Sequence, residues 1–164
     1  MSDARGGTGP LSAADDGDGD AELRAHHQTV TDATVAALTL LRYPETLAVV
    51  RLGPGAEVPA WAESSSVFSI TASATETSIV CAARNVPKKA RPHGPLTGFR
   101  VDGTLDLAAT GILVAVLQPL AEAAIPIFVL STFDTDWILV PRDDADRAEE
   151  AWRRSGHRTA SATP

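Results

Sequence analysis

Cysteine is nearly absent from this chain. Cys81 is the single one in 164 residues, so no internal disulfide forms and a cysteine-rich metal site is excluded. Long apolar runs are missing as well: nothing reaches the roughly 20 consecutive apolar residues of a membrane-spanning helix. The opening MSDARGGTGP is acidic and glycine-rich, where a signal peptide is basic and then apolar. Positive charge is in short supply, with 14 Lys and Arg against 21 Asp and Glu and a net charge of −7. That removes the basic footprint with which nucleic-acid binders neutralise phosphates. These absences lead to the expectation of a soluble, cytoplasmic protein without nucleic-acid or membrane partners. Aromatics make up only 5% while the hydrophobic share is 44%, enough for a packed core built mainly from Val, Ile, Leu and Ala.

Residues 1–24 are rich in Gly, Asp, Ser and Ala and bury too little to offset their ordering entropy, so they read as a disordered acidic tail. A calcium loop is the alternative for DDGDGD at 15–20, but it lacks the closing glutamate at loop position twelve and flanking helices. From Leu23 to Leu41 the apolar spacing fits a short helix or an extended lead-in. A turn at Tyr43-Pro44-Glu45 then precedes a strand over Thr46–Leu52. One helical turn follows at Val58–Ala62, and Val67–Ala72 and Thr77–Ala83 read as a hairpin. The proline-rich Asn85–Pro95 is the expected boundary between two halves.

The second half reads as a strand over Leu96–Asp102, a loop over Gly103–Thr110 and a helix from Ile112 to about Ala123. Pro119 sits inside that helix and removes one hydrogen bond. Ile125–Ser131 is nearly all apolar, as expected of a central strand covered on both faces. A polar corner over Thr132–Asp136 leads to a strand at Trp137–Val140. An amphipathic helix over Asp143–Arg154 and a final edge strand within His157–Pro164 complete the chain. The order β-α-β-β-α-β is the split βαβ, ferredoxin-like plan, with the first half as a reduced copy. The fold class is therefore α+β, with antiparallel sheets and helices on one face. The expected divisions are the tail over 1–24, a first module over 25–95 and a second over 96–160.

The stretches FSITASATETSIV at 68–80, TGIL at 110–113, PLAEAAIPIF at 119–128 and STFDTDWILVP at 131–141 carry a resemblance to ACT-domain proteins. Within them the chain is similar to the two-module subfamily that includes the CASTOR arginine sensors and small bacterial stand-alone proteins. The resemblance implies tandem ACT modules that pair side by side and hold an amino acid at the seam between them. It also implies a regulatory or sensor role, as a homodimer or with a regulated protein partner.

The residues support such binding independently. Thr110-Gly111-Ile112 opens a helix, and unpaired amides there suit a carboxylate. Thr132, Phe133, Asp134 and Asp136 offer carbonyls and carboxylates to an ammonium or a basic side chain. Ser78 and Ile79 would close the pocket with backbone groups from the first half. Where the arginine sensors carry acidic residues near the glycine, this chain reads Leu107-Ala108-Ala109-Thr110, with Asp106 nearby. A smaller or neutral amino acid thus stands beside arginine as a candidate. The alternative function is a protein–protein interaction module without a ligand.

Each feature also has a plainer reading. Gly103 and Gly111 serve as turn and helix-start glycines, and Asp134 and Asp136 cap the corner. No metal and no cofactor is expected. The spacing of Asp134 and Asp136 occurs in phosphate-transfer nucleophiles, but the accompanying motifs are missing. Ser78 and Ser131 lack a nucleophile-elbow setting, and no histidine stands in a triad context. Cys81 reads as an inert core thiol. His93 and His157 read as surface histidines. The chain is not expected to be an enzyme.

Overall fold

The computed structural model describes residues 37–163. The expected acidic tail, and all but the end of the lead-in at 23–41, fall outside them. Seven strands share one sheet: β1 (Thr39–Leu52), β2 (Ser69–Ala72), β3 (Thr77–Ala82), β4 (His93–Val101), β5 (Phe128–Ser131), β6 (Asp136–Pro141) and β7 (Arg158–Ser161). Among the described residues two α-helices accompany them, α1 (Ile112–Glu122) and α2 (Ala145–Arg154). The strand order is β2-β3-β1-β4-β6-β5, with β7 also paired to β1.

The long β1 organises the sheet. Its first residues, Thr39–Arg42, lie between β4 and β7, and Leu47–Leu52 pair with β3 while β4 continues along the other side. The expected turn at Tyr43-Pro44-Glu45 is therefore corrected to an irregularity inside a continuous strand, since the β1–β4 register shifts between Arg42 and Thr46. Proline lacks an N–H for the ladder and is tolerated inside a strand at such a bulge. Two short strands with a turn between them and one bulged strand look alike in sequence.

In the second half the sequence β4-α1-β5-β6-α2-β7 follows the expected order. β1 is interposed between β4 and β7. Both helices pack onto one core, in which Leu40, Phe99, Val101, Ile138 and Val140 from the strands meet Val116, Leu120, Ala148 and Trp152. Trp152 Nε1 donates to the Val116 carbonyl at 2.8 Å and Phe99 packs edge-on against the Trp152 ring. Arg42 reaches from β1 to Asp146 and Glu149 on α2 at 2.7 and 2.9 Å.

Two expectations are corrected here. The strand read over Ile125–Ser131 starts only at Phe128 and lies at the sheet edge, half-buried instead of covered on both faces. Ile125 is buried because its N–H closes the end of α1 on the Leu120 carbonyl at 2.9 Å, and Pro126 cannot donate to a ladder. His157 is buried instead of lying on the surface. Its Nδ1 accepts the Leu38 N–H at 3.2 Å, and its Nε2 lies 3.1 Å from the Ala115 carbonyl. Ala115 is four residues before Pro119, so its carbonyl lacks the usual intrahelical donor. The imidazole takes the place of that donor and ties α1 to the start of β1.

The first half has a smaller core of Ala62, Ile79 and Cys81, with Leu52, Val58, Trp61 and Val86 around it. Three short helical turns, Ala60–Ala62, Ala83–Asn85 and Lys88–Ala90, stand where the second half has two helices. Burial, and next the negative charge of Glu45, push the Cys81 thiol up, which keeps it a protonated core group. No helix among the described residues is long and apolar enough to cross a membrane.

Candidate functional site

α1 begins without a side-chain cap. Gly111, at φ 83°, turns the chain sharply into the helix, and among the described residues no side chain bonds to the first-turn amides. A Cβ would strain that left-handed conformation, so the position favours glycine. The first internal bond runs from Ala115 N–H to the Gly111 carbonyl at 2.9 Å. The amides of Ile112, Leu113 and Val114 precede it and have no partner within the helix. Their partial positive charge faces the space before the helix.

The β5–β6 corner stands opposite. Thr132 N–H donates to the Thr135 carbonyl at 2.8 Å, and Thr135 N–H donates back to Thr132 Oγ1 at 3.2 Å. Thr135 is buried, and its hydroxyl donates to the Val101 carbonyl of β4 at 2.6 Å. Leu105 N–H meets the Asp134 carbonyl at 2.7 Å, joining the loop before α1 to the corner. Within that loop Asp106 Oδ1 accepts the Ala108 N–H at 2.9 Å. Ser131 Oγ donates to Asp136 Oδ1 at 2.5 Å, which fixes that carboxylate at the mouth of the strand pair.

Between these walls lies an open groove of about 240 Å³. Gly111, Ile112, Thr132, Phe133, Asp134 and Asp136 line it, so six of the expected residues come together. Leu105, Asp106, Leu107, Ala109, Leu113, Ser131 and Thr135 complete the lining. Among the described residues, three carboxylates stand in this lining and no Lys or Arg. The arrangement joins amide donors on one side to carboxylates and carbonyls on the other. Such a site is matched to a small solute with both an acid and an amine.

Thr110 precedes the cap and is exposed, outside the lining. Ser78 and Ile79 do not reach this groove within one chain. They sit on β3, with β1 and β4 between it and β6, roughly 14 Å away at ordinary strand spacing. Ile79 is fully buried in the first-half core. Of the residues that sequence reasoning left aside, Thr135 had a visible signal: it repeats Thr132 at the spacing with which hydroxyls close tight corners. Leu105, Leu107 and Leu113 gave none, because a leucine beside a groove resembles a core leucine in sequence.

A second hollow of about 300 Å³ opens at the β1 bulge among Arg42, Glu45, Thr97, Arg142 and Ser161. Its charged groups are largely occupied: Arg42 by Asp146 and Glu149, and Glu45 by Ser65, Ser66 and Arg84. The groove at α1 offers a ligand more free groups.

The family model of the ACT domain matches residues 96–154, the segment that forms this groove. A second model, described as an N-terminal domain, matches residues 45–89. No curated protein matches the chain. Among solved structures the chain is similar to protein Atu0741 from Agobacterium tumefaciens, at 30% identity and a TM-score of 0.73 over 79% of this chain and 97% of that one. VC0802 from Vibrio cholerae, described as a protein of unknown function and possible transport protein, matches at 16% identity and a TM-score of 0.61, covering 74% and 91% of the two chains. The aspartate kinase of Clostridium acetobutylicum, described as an allosteric enzyme, matches at 12% identity and a TM-score of 0.53, covering 76% of this chain and 35% of that one. The latter two show a shared fold and nothing further. With the domain match lying on the very elements that build the groove, residues 96–154 of this chain form an ACT domain.

Proposed function

We propose that this protein is an amino-acid-binding regulatory or sensor module, with its ligand in the groove between the start of α1 and the β5–β6 corner. ACT domains bind small molecules such as amino acids, and the groove offers the two halves of an amino acid opposite partners. The observation that carries the reading is the pairing of an uncapped helix start at Gly111 with the corner carboxylates of Asp134 and Asp136 around one cavity. The carboxylate of the ligand meets the first-turn amides, and its amine or basic side chain meets Asp136, Asp134 and the corner carbonyls. Binding without turnover is part of the proposal. Its output is a change in how the module meets a protein partner.

Titration of the purified protein with each standard amino acid, followed by heat release and melting temperature, tests the reading. At least one ligand is expected to bind, and Asp136→Asn is expected to weaken it by about tenfold or more. Silence from all of them at millimolar concentration sinks the proposal. A second reading, an interaction module without a ligand, is favoured by the apolar residues around the groove: Phe133 is 80% exposed and Leu107 72%. A stoichiometric partner that still binds Asp136→Asn but not Phe133→Ser would establish that reading instead.

A further inference from the structure

We propose, resting on the ligand site described above, that His157 is a positioning residue for the groove and couples a ligand there to the backbone of Leu38 at the start of β1. The coupling begins at a gap in α1. In a helix the Ala115 carbonyl accepts from the N–H four residues on, and here that residue is Pro119, which has no N–H to give. The first turn of α1 is thus not fastened to the second at this point. It is also the turn that carries the unpaired amides of Ile112, Leu113 and Val114 at the groove. What holds that turn in place must come from outside the helix.

Two side chains supply it. Trp152 Nε1, in the last turn of α2, donates to the Val116 carbonyl at 2.8 Å. His157 Nε2 lies 3.1 Å from the Ala115 carbonyl, and its Nδ1 accepts the Leu38 N–H at 3.2 Å. A neutral imidazole has one donor and one acceptor nitrogen. With Nδ1 accepting, the proton sits on Nε2 and is donated to Ala115. One ring therefore joins two backbones, and at 8% exposure it leaves water little room to take its place. Its own backbone is fixed as well, since the His157 N–H donates to the Trp152 carbonyl at 3.0 Å. Leu38 is held from the other side, where its carbonyl accepts the Arg158 N–H at 2.8 Å. A ligand carboxylate on the amides of Ile112–Val114 and the imidazole on the next carbonyl favour the same placement of one turn. Each then strengthens the other, and the effect is reciprocal: a bound ligand tightens the His157 link to Leu38, and loss of the link weakens the ligand.

Calorimetric titration of the full chain with each standard amino acid in turn is the test, with residue-resolved hydrogen exchange beside it, under conditions where every variant is folded. For any amino acid that binds, His157→Phe should weaken it about five- to tenfold. Adding Pro119→Ala should recover most of that loss, because the Ala115 carbonyl regains a backbone donor. Val80→Ala, a truncation in the buried cluster around Leu47 and Val67, should leave the affinity unchanged, which separates positioning from lost stability. Ligand should slow exchange of the Leu38 amide in the natural sequence. In the double variant affinity should return without that response, since the acceptor of the Leu38 N–H is gone. An affinity indifferent to His157→Phe, a loss that Pro119→Ala does not repair, an equal loss in Val80→Ala, or a Leu38 amide blind to ligand overturns the coupling and leaves the ligand site standing. Silence from every amino acid overturns the site, and the coupling falls with it.

Discussion

The sheet around β4 and β6 and the sheet around β2 and β3 are made of similar aliphatic strands, and they differ in what lies on them. Two helices cover the first, and their shared core buries Trp152, Phe99, Leu40, Leu120 and Ile138 completely. Short helical turns and connecting loops cover the second, and its buried residues fall into two small clusters, one of Ala62, Ile79 and Cys81 and one in which Leu47, Val67 and Val80 meet Leu96, Trp137 and Leu139. A helix contributes more than burial, because its start leaves amides without partners. Where α1 begins, such amides meet a polar corner and form a groove. Both halves end in an edge strand, β2 in one and β5 in the other. Covering thus sets the two halves apart: only where a helix starts over the sheet do unpaired amides face a polar corner.

Core truncation breaks the comparison most severely. Trp152→Ala removes the largest fully buried side chain and its bond to the Val116 carbonyl, and it should cost about 3–5 kcal/mol. Ile79→Ala, in the smaller core, should cost about 2 kcal/mol, since loops and an edge strand relax into the void more readily than two packed helices do. Urea unfolding monitored by far-ultraviolet circular dichroism measures both. An equal cost for the two substitutions would show that the sheet halves are equally well packed.

The next effect concerns the join between helix and sheet. His157→Phe keeps an aromatic ring but leaves the Ala115 carbonyl and the Leu38 N–H without partners, at a cost of about 1–3 kcal/mol. If the imidazole substitutes for the donor that Pro119 lacks, Pro119→Ala should recover part of that loss in the double variant. The substitution restores a backbone N–H at that position, and it then reaches the Ala115 carbonyl directly. Additive losses in the unfolding midpoints would sink this account of the histidine.

How much of this was legible in the sequence depended on whether a signal was local. The helix over Ile112–Glu122, the hairpin of β2 and β3, and the corner over Thr132–Asp136 each carry their own spacing, and they stand close to where the pattern put them. Gly111 and Asp136 were legible because a helix start and a strand corner announce themselves within a few residues. The passage of β1 through Pro44, its insertion between β4 and β7, and the edge position of β5 were not. Each depends on which strand a residue pairs with far along the chain. His157 was misread for the same reason, since its partners lie 42 and 119 residues away. The distance of Ser78 and Ile79 from the groove is likewise a matter of strand order.

The smallest expected effect lies in the less covered half, where polar bonds replace a helix. Glu45, at the β1 bulge, accepts hydrogen bonds from the Ser66 N–H at 2.7 Å, from the Ser66 and Ser65 hydroxyls and from Arg84, and so pins the loop before β2. Burial disfavours its charge, but the bonds from Ser66 and Arg84 outweigh burial and hold the carboxyl at about 2. A carboxyl depressed in the folded state stabilises it above the unfolded value of about 4.3, and that contribution fades as pH falls toward the folded value. Glu45→Gln should therefore cost about 1–2 kcal/mol at neutral pH. The gap between the two proteins should narrow steadily as pH drops from about 4.5 toward 2. Comparing unfolding midpoints of the pair at each pH cancels the titration of the other carboxylates. A gap that stays constant to pH 2 would mean that the loop is held by packing of Val67 and Ala62, and that the polar cluster adds nothing to the uncovered half.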